Sequence, residues 1–128
     1  MIGPSRAAWL LWKLSIALVW FYQGLWHKVL SPDDRHRRII AEALGDRIGP
    51  PACIALGLFE TALAFAVIVE FRPRLTAIAQ IGLLIGMNGA GLLFAGRNIP
   101  DPFGMITMNF AFAMSIALQA SFAVRRKP

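Results

Sequence analysis

The sequence is poor in charged residues and in cysteine. Of its 128 residues, 16% are charged and 57% are hydrophobic, and Cys53 is the single cysteine. A soluble domain carries about 25% charged residues, so this chain does not have the composition of one. Its apolar content excludes intrinsic disorder, and the lone cysteine excludes a disulfide-stapled secreted fold. The composition therefore indicates an integral membrane protein.

Basic residues outnumber acidic ones. The chain has 13 lysines and arginines against 7 aspartates and glutamates, which gives a formal net charge of +6. An excess of this kind is typical of nucleic-acid-binding domains, but those domains are not this apolar. Cations also flank membrane-spanning helices. We therefore expect the lipid bilayer, and no nucleic acid, to be the partner that explains the charge.

Four apolar windows are long enough to cross a bilayer, which requires about 20 mostly apolar residues in a helix. The windows are too long for strands, and they do not alternate. The first lacks a small-residue cleavage site at its end, so we expect a retained anchor. The sequence predicts an all-α fold: a single integral membrane domain, 1–128, with four transmembrane helices in an antiparallel bundle. The predicted spans are residues 7–26, 51–69, 75–94 and 105–124.

The long connection between the first two windows predicts a short amphipathic helix. Residues 31–34 combine serine, proline and aspartate in the spacing of a helix start, and Gly45 is suited to end the helix. Such a helix lies on the membrane surface or folds over the bundle, and a solvated loop helix is the alternative. Its apolar residues share one side: Ile39, Ile40, Ala43 and Leu44.

Charged residues in the connections bear on orientation. We call side one the face with both termini and the 70–74 connection, and side two the face with the other two connections. Seven lysines and arginines lie on side one and six on side two, whereas the acidic residues are concentrated on side two. This distribution favours cytoplasmic termini.

Glu60 is the ionisable residue that most requires an explanation. It lies near the middle of the second window, where a charged side chain costs about 2.5–3.5 kcal/mol on insertion scales. The neighbouring Gly57 favours close approach of another helix. Two interpretations stay open: a proton-carrying or ligand-orienting carboxyl, and a protonated or ion-paired glutamate that holds helices together.

Other polar side chains lie towards the side-two ends of the remaining windows. We expect them to line one polar cavity that opens to side two, although the asparagines have an alternative role in bonding across helices. His27 is a candidate proton carrier or quinone ligand. Since His36 is the only other histidine, neither a two-histidine haem site nor a metal site is predicted. The candidates besides Glu60 are Gln23, His27, Lys28, Asn88 and Asn109.

The third window carries Gly82, Gly86 and Gly89, and the spacing of the first two is that of a helix-packing face. Packing inside the bundle is the favoured interpretation, and a homo-oligomer contact is the alternative.

Several stretches carry a recognisable pattern, in order along nearly the whole chain. They are residues 20–32, 57–60, 72–75 and 101–104, followed by Asn109. Together they resemble the DoxX-like family of small four-span bacterial membrane proteins. The resemblance implies a four-helix bundle in the bacterial inner membrane, and the family pattern positions that carry over are Gly24, Lys28, Gly57 and Glu60. No catalytic role carries over with them.

The resemblance also suggests a function. Some relatives look like subunits of thiosulfate:quinone oxidoreductases, and others look like partners in membrane redox-stress complexes. We therefore expect a redox-associated or quinone-linked accessory subunit with a membrane oxidoreductase as its partner, and leave open whether the chain is itself catalytic. The alternatives are a non-enzymatic scaffold or lipid-binding bundle, and a small proton-coupled transporter. Cys53 has no second cysteine, which argues against thiol–disulfide chemistry by this chain alone.

Overall fold

The computed structural model describes residues 3–30 and 35–126, and their secondary structure is helical with no strand. Three of the described helices, at Gly49–Ile68, Pro73–Phe94 and Pro102–Arg126, are long and apolar enough to cross a membrane. The all-α prediction is confirmed, and three membrane-capable helices are found where four were predicted. The elements are α1 (Arg6–Trp20), a π-helical segment (Phe21–Leu30), α2 (Arg35–Leu44), α3 (Gly49–Ile68), α4 (Pro73–Ala95) and α5 (Pro102–Arg126).

The first predicted span is not one uniform α-helix. α1 has 15 residues, fewer than a span requires, and the π-helical segment of 10 residues follows it directly. The Phe21 N–H donates to the carbonyls of Ala17 and Leu18, so the helical path continues across the junction. π-helices are rare, and they occur frequently at functional sites. The change of winding begins just before Gln23, the first of the predicted polar site residues.

The hydrophobic core fills the half of the bundle nearest side one. Trp20 is at its inner end, with 1% of its surface exposed. The Trp20 indole N–H donates to Gln80 Oε1 at 2.8 Å, and Gln80 Nε2 donates to the Thr76 carbonyl at 3.2 Å. These bonds satisfy two polar groups that would be costly to bury alone. The core residues are Ile16, Ala17, Trp20, Leu63, Ala64, Val67, Ala77, Leu84, Ile116 and Ala120.

The side-one end is closed by a short turn and by a lysine from α1. Lys13 Nζ lies 3.1 Å from both the Ile68 carbonyl and Glu70 Oε2. Glu70 and Arg72 have left-handed φ values of 55° and 38°, which let the chain reverse between α3 and α4 within a few residues. Lys13 therefore reaches the end of the bundle rather than lying unpaired in its middle.

α2 folds over the side-two end of the bundle and packs on α3 and α4. The approach to α3 is close, since a Cβ on Gly49 would lie 2.6 Å from Ala41 Cα. Gly45 ends α2 as predicted: its φ is +94°, and its N–H donates to the Ala41 carbonyl at 2.6 Å. The predicted helix start at residues 31–34 lies outside the described residues. Of the placements considered for this helix, the one over the bundle is the one found.

The α4 glycines make no close contact with a neighbouring helix in the described residues, and their packing role stays a prediction. A Cβ added to Gly82, Gly86 or Gly89 would meet no atom within 4 Å. Gly82 and Gly86 are exposed, and they share the outward side of α4 with Ile78 and Ile85, each 68% exposed. α4 faces its neighbours with larger side chains, so small residues are not required for internal contact. The homo-oligomer alternative stays a prediction.

Candidate functional site

The π-helical segment and α3 cross at two glycines that face each other. A Cβ on Gly24 would lie 2.6 Å from the Gly57 carbonyl oxygen, and a Cβ on Gly57 would lie 2.7 Å from the Gly24 carbonyl oxygen. Both distances are far below van der Waals contact, so only glycine fits at either position. The backbones therefore approach as closely as the packing motifs of membrane helices allow.

This crossing brings a lysine and a glutamate together inside the bundle. Lys28 Nζ lies 3.0 Å from Glu60 Oε1 and 3.1 Å from Glu60 Oε2, and the two side chains are 4% and 0% exposed. The ammonium also donates to the Gln23 carbonyl at 3.3 Å. The ion pair is therefore desolvated, and the lysine uses its donors within the protein.

The glycines explain why the pair fits. Side chains of a helix lean towards its N-terminus, so Lys28 leans back along the π-helical segment and Glu60 leans towards the start of α3. A Cβ on Gly24 would lie 2.8 Å from Glu60 Cβ, and a Cβ on Gly57 would lie 2.8 Å from Lys28 Cβ. Each glycine thus leaves room for the charged side chain of the opposite segment.

Cys53 supports the same junction. It is fully buried, and its Sγ lies 3.7 Å from the Lys28 carbonyl oxygen. Cys53 lies on the side of α3 that faces the end of the π-helical segment. We therefore assign it a packing role at this junction.

A cavity of about 690 Å³ lies beside this junction, in the half of the bundle that the hydrophobic core does not fill. Five of the six polar candidates line it, from three different segments: Gln23, His27, Lys28, Asn88 and Asn109. These side chains converge as their spacing along the sequence predicted, and their role stays a prediction. The predicted opening to side two is not found, because α2 lies over that end of the cavity.

Apolar side chains form most of the remaining cavity wall. Trp20 lies at the inner end, α5 contributes Met105, Met108 and Phe112, and the apolar side of α2 faces the cavity. The predicted amphipathic helix is therefore part of the cavity wall. Its four apolar residues, Ile39, Ile40, Ala43 and Leu44, all line the cavity.

The two asparagines bond to each other across α4 and α5. Asn109 Nδ2 donates to Asn88 Oδ1 at 2.9 Å. This bond is the structural alternative foreseen for them, and it places both amides on the cavity. Each carboxamide has two N–H donors and an acceptor oxygen, so the pair keeps further bonding capacity. His27 lies nearby, with its ring against that of Tyr22 at a centroid distance of 4.5 Å.

Glu60 does not line the cavity, in contrast to the other candidates. It is completely buried behind Lys28, so it can influence a ligand only through that lysine. The geometry pairs Glu60 with Lys28, and the proton-carrying or ligand-orienting role of Glu60 stays a prediction. Gln80 is absent from the predicted site residues, although a glutamine in the middle of an apolar helix is a visible signal. Its bond to Trp20 positions the inner end of the cavity.

Comparison with known proteins gives one match. The family model described as the DoxX-like family matches residues 17–117, which include the π-helical segment, the Lys28–Glu60 pair and the polar residues of the cavity. No curated protein and no solved structure matches the chain significantly. The family match covers more than half of the chain, and it agrees with the apolar helices of the fold. The chain is therefore a small membrane protein that belongs to the DoxX-like family.

Proposed function

We propose that this chain is a four-span bundle of the bacterial inner membrane that binds a quinone in its cavity for a partner oxidoreductase. The observation that carries the proposal is the convergence of five polar side chains on one apolar cavity of about 690 Å³. Small-molecule sites are concave, mostly apolar and about 300–1,000 Å³ in volume, with a few polar groups that fix orientation. The cavity has each of these properties.

The first span in this proposal is the continuous helical stretch of α1 and the π-helical segment. Together they extend from Arg6 to Leu30, 15 and 10 residues respectively, and about 20 residues are enough to span the hydrocarbon. With α3, α4 and α5, this gives four spans. Both termini then share one side, and we propose the cytoplasmic side.

The polar groups favour a neutral ligand over an anion. Lys28 is the only lysine or arginine among the described lining residues, and its ammonium is already paired with Glu60. The other polar side chains on the wall are those of Gln23, His27, Asn88 and Asn109. Amide N–H groups donate to the carbonyl oxygens of a quinone, while the apolar wall contacts its ring and substituents.

The chain is a binding subunit in this proposal. Cys53 is the single cysteine and is buried against the Lys28 carbonyl, so no dithiol is available for sulfur exchange. The quinone, when bound, supplies the electron-accepting chemistry, and a partner oxidoreductase supplies the electrons. Gentle purification followed by mass spectrometry should therefore recover a membrane oxidoreductase with this chain.

Direct binding tests the proposal. The purified protein in dodecyl maltoside should bind a benzoquinone, measured by the rise of its unfolding midpoint with ligand concentration. The double variant Asn88→Leu/Asn109→Leu removes the amide pair as a unit and should weaken binding about tenfold or more, because each lost hydrogen bond is worth about 1 kcal/mol.

Thr107→Val is the matched control. Thr107 lies on the exposed side of the same helix as Asn109 and donates only to the Phe103 carbonyl at 2.8 Å. It should bind quinone as the wild type does. Absence of quinone binding by the wild type, with phospholipid retained through purification, would overturn the proposal in favour of the lipid-binding scaffold.

A further inference from the structure

Two glycines of α4 belong both to the cavity wall and to the exposed side of the helix. Gly82 and Gly86 both line the cavity, and both are exposed. They share the outward side of α4 with Ile78 and Ile85, which are themselves 68% exposed. At these two glycines the cavity wall is bare backbone, since no side chain is present to close it. A Cβ at either position would enter open space.

The depth of the two glycines in the bilayer decides what this part of the cavity wall faces. α4 extends from Pro73 to Ala95. At 1.5 Å per residue, Gly82 lies about 14 Å from the start of the helix and Gly86 about 14 Å from its end. Both distances are close to half of the roughly 30 Å hydrocarbon thickness. The glycines therefore lie near the bilayer midplane when α4 spans the membrane. This part of the cavity wall then faces acyl chains rather than water.

The other end of the cavity is covered. α2 lies over the side-two end with its apolar side on the cavity, including Ile40 and Leu44. Arg97 Nε lies 2.9 Å from Glu42 Oε1 and ties α2 to the turn after α4. The inner end is closed by Trp20 and its bond to Gln80. The side of α4 at Gly82 and Gly86 is a part of the wall that has no side-chain cover.

We propose that the ligand is an amphiphile that enters from the hydrocarbon through a lateral opening at Gly82 and Gly86, and that its apolar tail stays in that opening when its polar head is bound. The inference rests on the proposed function and specifies it: the quinone is a tailed one. The amides of Asn88 and Asn109 contact the head, and the two glycines leave a passage for the tail. A ligand of this kind never has to leave the membrane.

Two quinones with the same ring distinguish the contribution of the tail to binding from that of the head. One is a benzoquinone with a ten-carbon alkyl tail, and the other has a methyl group in place of the tail. In the double variant Gly82→Leu/Gly86→Leu the passage is filled. Binding of the tailed quinone should then weaken about tenfold or more, while binding of the methyl quinone stays within about twofold of the wild type. Both are measured as the ligand concentration that half-maximally raises the unfolding midpoint.

Gly89→Leu is the matched control. Gly89 also has open space at its Cβ, but it does not line the cavity. Both quinones should bind it as they bind the wild type. The proposal is overturned if the double variant binds the tailed quinone normally, or if it loses both quinones alike. A wild type that binds neither quinone would instead overturn the proposed function, and the lateral opening with it.

Discussion

Removing one member of the buried Lys28–Glu60 pair should destabilise the protein far more than removing both. The ammonium lies 3.0 and 3.1 Å from the two carboxylate oxygens, and the side chains are 4% and 0% exposed. Losing one partner of such a pair leaves an uncompensated charge and costs about 3–5 kcal/mol, whereas replacing both is often close to neutral. Lys28→Met and Glu60→Gln should therefore each lower the free energy of unfolding by about 3–5 kcal/mol.

The double variant Lys28→Met/Glu60→Gln gives the interaction energy. Its loss should be smaller than either single loss, so it should fall short of the sum of the two by more than about 3–5 kcal/mol. The assay is reversible unfolding in mixed micelles of dodecyl maltoside and sodium dodecyl sulfate, with helicity followed by circular dichroism.

The exposed pair of Arg97 and Glu42 is the control for this cycle. Its N–O distance of 2.9 Å is as short, but Arg97 is 83% exposed, so Arg97→Met should cost about 1 kcal/mol or less. Additive losses for Lys28→Met and Glu60→Gln would refute the reasoning, because they would mean that the two groups do not stabilise each other in the folded protein.

Substitutions at Gly24 and Trp20, each with a control or a compensating substitution, test the packing around the site by the same unfolding assay. Gly24→Ala should cost about 1–3 kcal/mol, because its Cβ would lie 2.6 Å from the Gly57 carbonyl oxygen, whereas Gly89→Ala should be neutral or stabilising by up to about 1 kcal/mol; equal effects would contradict the close crossing. Trp20→Phe should cost about 1–3 kcal/mol by leaving Gln80 Oε1 buried without its donor. Adding Gln80→Leu should recover part of that loss, and a double variant as unstable as the sum would contradict this explanation.

Elements with a strong apolar signal were predictable from the sequence. The windows 51–69, 75–94 and 105–124 overlap α3, α4 and α5 closely, because length and apolarity alone identify a helix that can cross a membrane. The first window was different. Its residues are apolar enough, but the change from α-helical to π-helical winding at Phe21 has no signature in hydropathy. The π-helical segment packs on α3, and hydropathy does not describe such a contact.

The candidate site was predictable in part. Polar residues inside apolar segments are unusual, and this alone indicated Glu60, Asn88 and Asn109. Which of them share a cavity depends on how the helices are rotated about their axes. The asparagines reach the cavity, while Glu60 turns towards Lys28 and away from it. Sequence spacing describes one helix at a time, so it could not separate these two outcomes.

The α4 glycines also show that spacing along one helix does not determine how that helix packs. Their spacing is that of a packing face, but spacing does not specify which neighbour a face meets. In the bundle, Gly24 and Gly57 form the close contact, whereas a Cβ on Gly82 or Gly86 would meet no atom within 4 Å.

The sequence by itself therefore determined that this protein is helical and lies in a membrane, and which polar residues its apolar segments contain. Low charge and long apolar runs require a membrane and helices, and the few polar residues within those runs are where chemistry has to be located. The tertiary structure decided which polar residues pair with each other and which line the cavity. Two glycines allow the helices to approach closely enough to neutralise Lys28 with Glu60. Amide and imidazole groups remain on an apolar cavity, because the only lysine among its described lining residues is already paired.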